Sequence, residues 1–139
     1  MNISLIPAGL LHEVWPKIER YVDGAAKYTF GRFNTEDIKK DLLEKDQQLW
    51  IAFDDKGIYG FVVTEVIVYP RTKSLAMHFT GGERLTKWKD KMLKVLQKFA
   101  SDCGCDIIES HGRKGWEHIF KDDGFKWRFM FYELPVKKE

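Results

Sequence analysis

A mixed α/β fold over the whole chain is what this sequence predicts, and three observations carry it. Two segments of helical period follow a short alternating stretch at the N-terminus. Three strand-like runs then come in succession with only turns between them. A long amphipathic segment finally separates the last of those runs from another strand-like one. At 139 residues the chain has the length of one domain. Its 44% hydrophobic and 14% aromatic content suits a packed globule rather than a disordered chain.

The elements follow in order. "NISLIP" alternates as a short first strand. From residue 10 to about residue 26, Leu11, Val14, Trp15, Ile18, Tyr21 and Val22 recur at spacings of three and four, which is a helix. Pro16 is placed near its first turn, where a missing N–H is tolerated, and Gly24 near its end. "NTEDIKKDLLEKD" opens a second helix, with Asn34 or Thr35 as N-cap, Glu36 and Asp37 in the first turn, and Ile38, Leu42 and Leu43 as the buried stripe. "QQLWIAF", the turn "DDKG" and "IYGFVVTEVIVYP" read as a hairpin, and "SLAMHFT" as the next strand. From residue 83 to about residue 102 the stripe Leu85, Trp88, Met92, Leu93, Leu96 and Phe99 makes the most strongly periodic helix, stopped at Gly104. "CDIIES" is a strand, "GWEHIFKDDGF" a short helix and "KWRFMFYEL" a last strand. The order is β-α-α-β-β-β-α-β-α-β, and the crossover helix should make the fourth and fifth strands parallel.

Composition narrows function by exclusion. Lys and Arg number 23 against 21 Asp and Glu, and the signs are interleaved, so no segregated basic face marks a nucleic-acid binder. No apolar run approaches the ~20 residues that span a bilayer. The N-terminus lacks the basic and apolar regions of a signal peptide, which points to a cytoplasmic protein. Cys103 and Cys105 are too close for an ordinary staple and too few for a metal site.

The segment "SLAMHFTGGERL", with "CDIIES" and then "GWEHIFKDDGF" ending in the Gly124-Phe125 pair, resembles the fourth strand, pyrophosphate loop, central helix, fifth strand and fourth helix of the GNAT (Gcn5-related N-acetyltransferase) superfamily. With "GGE" and "GRKGWE" the chain also resembles the small GNAT-like proteins of tailed phages. The resemblance implies a GNAT-like fold, a central mixed sheet flanked by helices. It implies acetyl-CoA in the cleft where strands four and five part, and transfer of its acetyl group to an amine of a small molecule or protein. Backbone donors around Phe79, Thr80, Gly81, Gly82 and Arg84 would hold the cofactor's phosphates, with Arg113 past strand five. Two features differ from the family pattern. Gly81 and Gly82 are adjacent and followed by the acidic Glu83, and Phe120 stands where the family often has a tyrosine as general acid.

Each residue also has a plainer reading. The Gly81-Gly82 pair suits either close approach to a phosphate or a tight corner between strand and helix. Glu65, in an otherwise apolar strand, suits either a partnered structural carboxylate or a general base. Glu109 and His111, at the end of strand five, and His78 in strand four are further acid–base candidates. Arg113 and Lys114 read equally as a solvated loop. The aromatic last strand offers an edge for self-association. Two functions stand side by side: an acetyl-CoA-dependent N-acetyltransferase, and a GNAT-shaped module without transfer activity that serves a phage, in the host cytoplasm or the virion, through protein contacts.

Overall fold

The computed structural model describes residues 1–111, 120–128 and 130–138. In chain order the elements are β1 (Asn2–Ile6), α1 (Leu11–Ala26), α2 (Thr35–Glu44), β2 (Gln47–Asp54), β3 (Gly57–Val68), β4 (Lys73–Gly82), α3 (Leu85–Asp102) and β5 (Ile107–Ser110). The five strands form one sheet in sequential order. Neighbours are antiparallel from β1 to β4, while β4 and β5 are parallel, as a helical crossover requires.

Register decides which residues share a face. Leu49 pairs with Val63 and Ile51 with Phe61 on one side of the sheet, and these four pack under Trp15, Ile18 and Val22 of α1 and Ile38 of α2. On the other side, Trp50, Val62, Leu75 and Met77 pack under Trp88, Met92 and Leu96 of α3. Period-2 alternation in the strands and a single apolar stripe on each helix therefore build two cores with the sheet between them.

The predicted signals around the helices act as follows. Asn34 is the N-cap of α2: its side chain accepts from Asp37 N–H at 2.8 Å, and Asp37 Oδ2 accepts from Asn34 N–H at 3.0 Å, a reciprocal capping box. Gly104 sits just past α3 at φ +74°, and Cys105 N–H reaches back to the Ala100 carbonyl at 2.8 Å, closing a Schellman turn.

Several expectations need correction. Pro16 is the sixth residue of α1, beyond its first turn, although a separate 3-10 turn at Ala8–Leu10 already delays the start of the helix to Leu11. Leu43 is 48% exposed, since the width of α2 over β2 is filled by Ile38 and Leu42. β4 runs two residues past Thr80, to Gly82, and α3 starts at Leu85 rather than residue 83. Residues 115–119 of the expected short helix lie outside the described residues; Phe120 is helical and residues 121–124 form a turn. The predicted last strand is not formed among the described residues of that segment, and Trp127, Met130, Phe131 and Tyr132 are 61–81% exposed. Alternation reports that a segment has two faces; a strand also needs a neighbour to take its backbone hydrogen bonds.

Candidate active site

The strand pair β3–β4 shapes the region from which chemistry can be done. Val63 pairs with Phe79 but Thr64 pairs with Met77, so His78 is the extra residue of a β-bulge on β4. The pairing of β4 with β5 ends at the same level, at Met77 and Ser110. Beyond it β4 continues to Gly82, bonded to β3 on one side only. Among the described residues nothing pairs with its other edge, so residues 78–82 line a gap opening away from β5.

Polar side chains gather beside this gap, on the α1 face. Gln47, Glu65, Ala76 and Glu109 are register partners across β2, β3, β4 and β5 and so share one face. His78 turns toward the same face, where its Nε2 lies 2.8 Å from Glu65 Oε1, with both side chains about one-quarter exposed. Gln47 Nε2 donates to the same Glu65 oxygen at 3.2 Å. Two strands away, Glu109 Oε1 accepts from the Tyr69 hydroxyl at 2.8 Å. That bond and, after it, partial burial raise the Tyr69 phenol above its ordinary value of 10.0. Phe33, from the segment between α1 and α2, closes the wall by an edge-on contact with Phe79 at 5.3 Å between centroids. The geometry thus brings Glu65 and His78 together and places Glu109 on the same face with its own donor. His111 is exposed just after β5.

The corner between β4 and α3 has a different character. A Cβ on Gly82, where φ is +136°, would lie 2.3 Å from the Tyr59 carbonyl oxygen and 2.5 Å from Gly60 Cα. A Cβ on Gly81 would lie 2.9 Å from the Tyr21 carbonyl oxygen, and one on Gly60 would lie 2.3 Å from the Trp88 ring. These glycines are required by the approach of the chain to itself. Glu83 N–H donates to the Tyr59 carbonyl at 2.8 Å, Lys87 N–H to the Arg84 carbonyl at 2.8 Å, and the Trp88 indole N–H to the Glu83 carbonyl at 2.9 Å. Among the described residues, Leu85 and Thr86 are then the first-turn residues of α3 whose amides the corner leaves over.

The Glu83 carboxylate is drawn toward α1. It accepts from the Tyr21 hydroxyl at 3.0 Å, and Arg20 lies 3.9 Å from the same oxygen. Burial, the largest cause, pushes the Tyr21 phenol up. Arg84 does not neutralise Glu83; its guanidinium stacks over the Tyr59 ring at 5.0 Å. On the α3 side, Phe120 helps close a cavity of about 10 Å³ between β4 and α3, with Thr80, Leu85, Trp88 and Met92 in its walls. That is room for about one water. Arg113 and Lys114 lie outside the described residues.

Sequence reasoning singled out Glu65, His78 and Glu109 as separate candidates but gave no sign of their partners. Tyr69 and Gln47 are ordinary residues in sequence. Only the 40-residue separation of Tyr69 from Glu109, closed by the crossover, makes the first of them relevant. Among the described residues no three His, Cys, Asp or Glu side chains converge as a metal site, and both cysteines are free thiols.

No protein-family model matches the sequence, and no curated protein does. Solved structures do match. The chain is similar to a probable acetyltransferase at 15% identity and TM-score 0.72, with 100% of each chain covered. It is similar to a putative acetyl transferase from Pyrococcus furiosus at 15% identity and TM-score 0.71, covering 97% of this chain and all of that one. It is also similar to a ribosomal-protein-alanine N-acetyltransferase from Brucella melitensis biovar Abortus 2308 at 16% identity and TM-score 0.68, covering 98% of this chain and all of that one. The fold is therefore that of the GNAT acetyltransferases, a mixed five-stranded sheet flanked by helices. Among the described residues no helix is long and apolar enough to cross a membrane.

Proposed function

We propose that this chain is an acetyl-CoA-dependent N-acetyltransferase whose acceptor is an amine of a small molecule or protein. The observation that carries this reading is the edge of β4 past Met77, unpaired among the described residues, which opens beside the Glu65–His78 pair. An unpaired strand edge presents alternating N–H and C=O groups. The edge at His78, Phe79 and Thr80 therefore fits the amide-bearing arm of the cofactor. The phosphate end finds a smaller cradle: the amides of Leu85 and Thr86 at the positive end of α3, with Arg84 beside them. Arg113 belongs to the same expectation, as a cation past β5. When bound, the cofactor supplies an acetyl group activated as a thioester. The chain's own part is to hold the acceptor amine over β4 and remove its proton, for which Glu65, His78, Glu109 and His111 are the acid–base groups near the gap.

A second reading has specific support: a GNAT-shaped module that works through protein contacts, in a phage setting in the host cytoplasm or the virion. It is favoured by Phe120, which has no proton for a leaving thiolate, and by a corner whose glycines serve internal packing. Calorimetric titration with acetyl-CoA separates the two. Binding, with a rise in melting temperature at millimolar cofactor, is expected for the enzyme, since a ligand of the native state alone must stabilise it. No heat and no shift would leave the second reading standing.

A further inference from the structure

We infer that, in the transfer reaction proposed above, His78 is the general base through Nδ1, and that Glu65 is a positioning residue rather than the base. The inference rests on that reading for the reaction but on independent geometry for the division of roles. As a carboxylate, Glu65 only accepts hydrogen bonds. Its Oε1 faces both Gln47 Nε2, at 3.2 Å, and His78 Nε2, at 2.8 Å. The hydrogen in the second contact must come from the imidazole, which sets the neutral ring as the Nε2–H tautomer and leaves the lone pair on Nδ1. No partner meets Nδ1 among the described residues. Glu65 is thus held from two sides through Oε1, and His78, donating from Nε2, keeps its basic lone pair on Nδ1, on the other side of the ring from that contact.

The bulge supplies the second argument. His78 is the residue of β4 that the ladder with β3 skips, and β4 loses β5 at its neighbour Met77. A bulge re-aims the side chain at its extra residue. Alternation from Ala76 keeps His78 on the Glu65 face, and the skipped residue brings Phe79, the partner of Val63, to that face beside it, so the imidazole and the Phe79 ring stand together at the mouth of the gap. Glu65 sits one strand further in, in the middle of β3 and flanked by β2 and β4. A group delivered along the β4 edge would meet His78 before Glu65.

Nδ1 takes one proton from the acceptor ammonium, and the freed nitrogen pair forms the N–C bond at the acetyl carbonyl. The C–S bond breaks with its pair going to sulfur, and the proton that nitrogen sheds on becoming an amide goes to that thiolate. The imidazolium then returns its proton to water.

The test uses the full chain and its Glu65→Gln, Glu65→Ala and His78→Gln variants. Acetyl-CoA titration of each comes first and should give affinities within about twofold of one another; absence of binding in the parent chain would remove the reaction but not the geometry. Nitrogen-15 spectra of the imidazoles, with His78 assigned by its loss in His78→Gln, should show the Nε2–H tautomer. That tautomer should persist in Glu65→Gln, whose amide oxygen still accepts, and become mixed in Glu65→Ala. An Nδ1–H tautomer in the parent chain would overturn the proposal whatever the activity. With spermidine, tyramine and an alanine-terminated peptide as acceptor probes, the one acetylated should show kcat reduced ~10²–10⁴-fold by His78→Gln, the range of general-base catalysis. Glu65→Gln should lose much less than Glu65→Ala. A Glu65→Gln loss equal to or greater than that of His78→Gln would make Glu65 the base and sink the assignment. Acetyl-CoA binding without turnover of any probe would count against both the transfer reaction and the base, and the tautomer would still decide whether Glu65 orients the ring.

Discussion

Gly82 shows how one position couples the two strands at the corner to the helix that follows. Its φ of +136° is closed to L side chains without strain, and an added Cβ meets the Tyr59 carbonyl at 2.3 Å. That carbonyl also accepts the Glu83 N–H, so it has little freedom to retreat. Gly82→Ala should therefore destabilise the protein by about 1–3 kcal/mol, read as a lowered urea midpoint at unchanged slope. An unchanged midpoint would mean that the corner can shift as a unit. The same geometry alters what a Gly82→Asp variant reports: loss of cofactor binding there would follow from a damaged corner as readily as from repelled phosphates. Trp88 belongs to this arrangement, with its ring against Gly60 and its indole N–H on the Glu83 carbonyl.

Two features of the helices carry predictions of opposite sign. Pro16 is exposed and sits within α1, so the His12 carbonyl lacks the N–H that would face it one turn later. Pro16→Ala should restore that bond and stabilise the protein by about 1–3 kcal/mol, visible as a higher melting temperature; a fall would show that the ring's fixed φ matters more to the entry of α1. On α3, Lys89 Nζ lies 2.9 Å from Asp123 Oδ2, with both side chains less than one-fifth exposed, and ties the turn at 121–124 to the helix. The Asp123 bond is the main reason the Lys89 ammonium is raised above its ordinary value of 10.5, against the opposing effect of burial. A raised value in the folded state means stabilisation that is fully present below the unfolded value and is lost as pH climbs through the folded one. The stability difference between the parent chain and Lys89→Met, measured by urea unfolding from pH 9 upward, should hold up to about pH 10.5 and shrink above it. A difference that stays constant through that range would show that Lys89 contributes by packing alone.

Across the molecule, the two cores on either side of the sheet leave little for the C-terminal segment to cover. Its contacts include Glu133 with Arg32 at 2.9 Å and the Arg32 guanidinium over the Phe131 ring at 4.9 Å, both exposed. Phe125, by contrast, packs against the α3 core. Ending the chain after Lys126 should change the melting temperature by less than about 3 °C, because exposed side chains contribute little to folding. A larger fall would reveal that residues beyond 126 are needed for the fold. How the expectations fared follows from this arrangement. Helix starts and stops were legible wherever the chemistry was local, as in the Asn34–Asp37 box and the Gly104 turn. The parallel pairing of β4 with β5 was legible because a helical crossover allows little else. Leu43 and the "KWRFMFYEL" segment were misjudged because periodicity describes one segment, whereas burial and pairing depend on what lies opposite.

The sequence by itself determined the order of the elements as far as β5, the apolar stripes of the helices and the presence of Glu65, His78 and Glu109 as candidate groups. Only the tertiary structure decided that Glu65 faces His78 across a bulge and that Glu109 takes its hydrogen bond from Tyr69. It also decided that the glycines of the corner are held by Tyr59, Tyr21 and Trp88. The physical reason is distance along the chain. Caps and periods act over a few residues and are written locally, while a bulge, a shared face or a crowded glycine exists only once segments tens of residues apart have been brought within a hydrogen bond of each other.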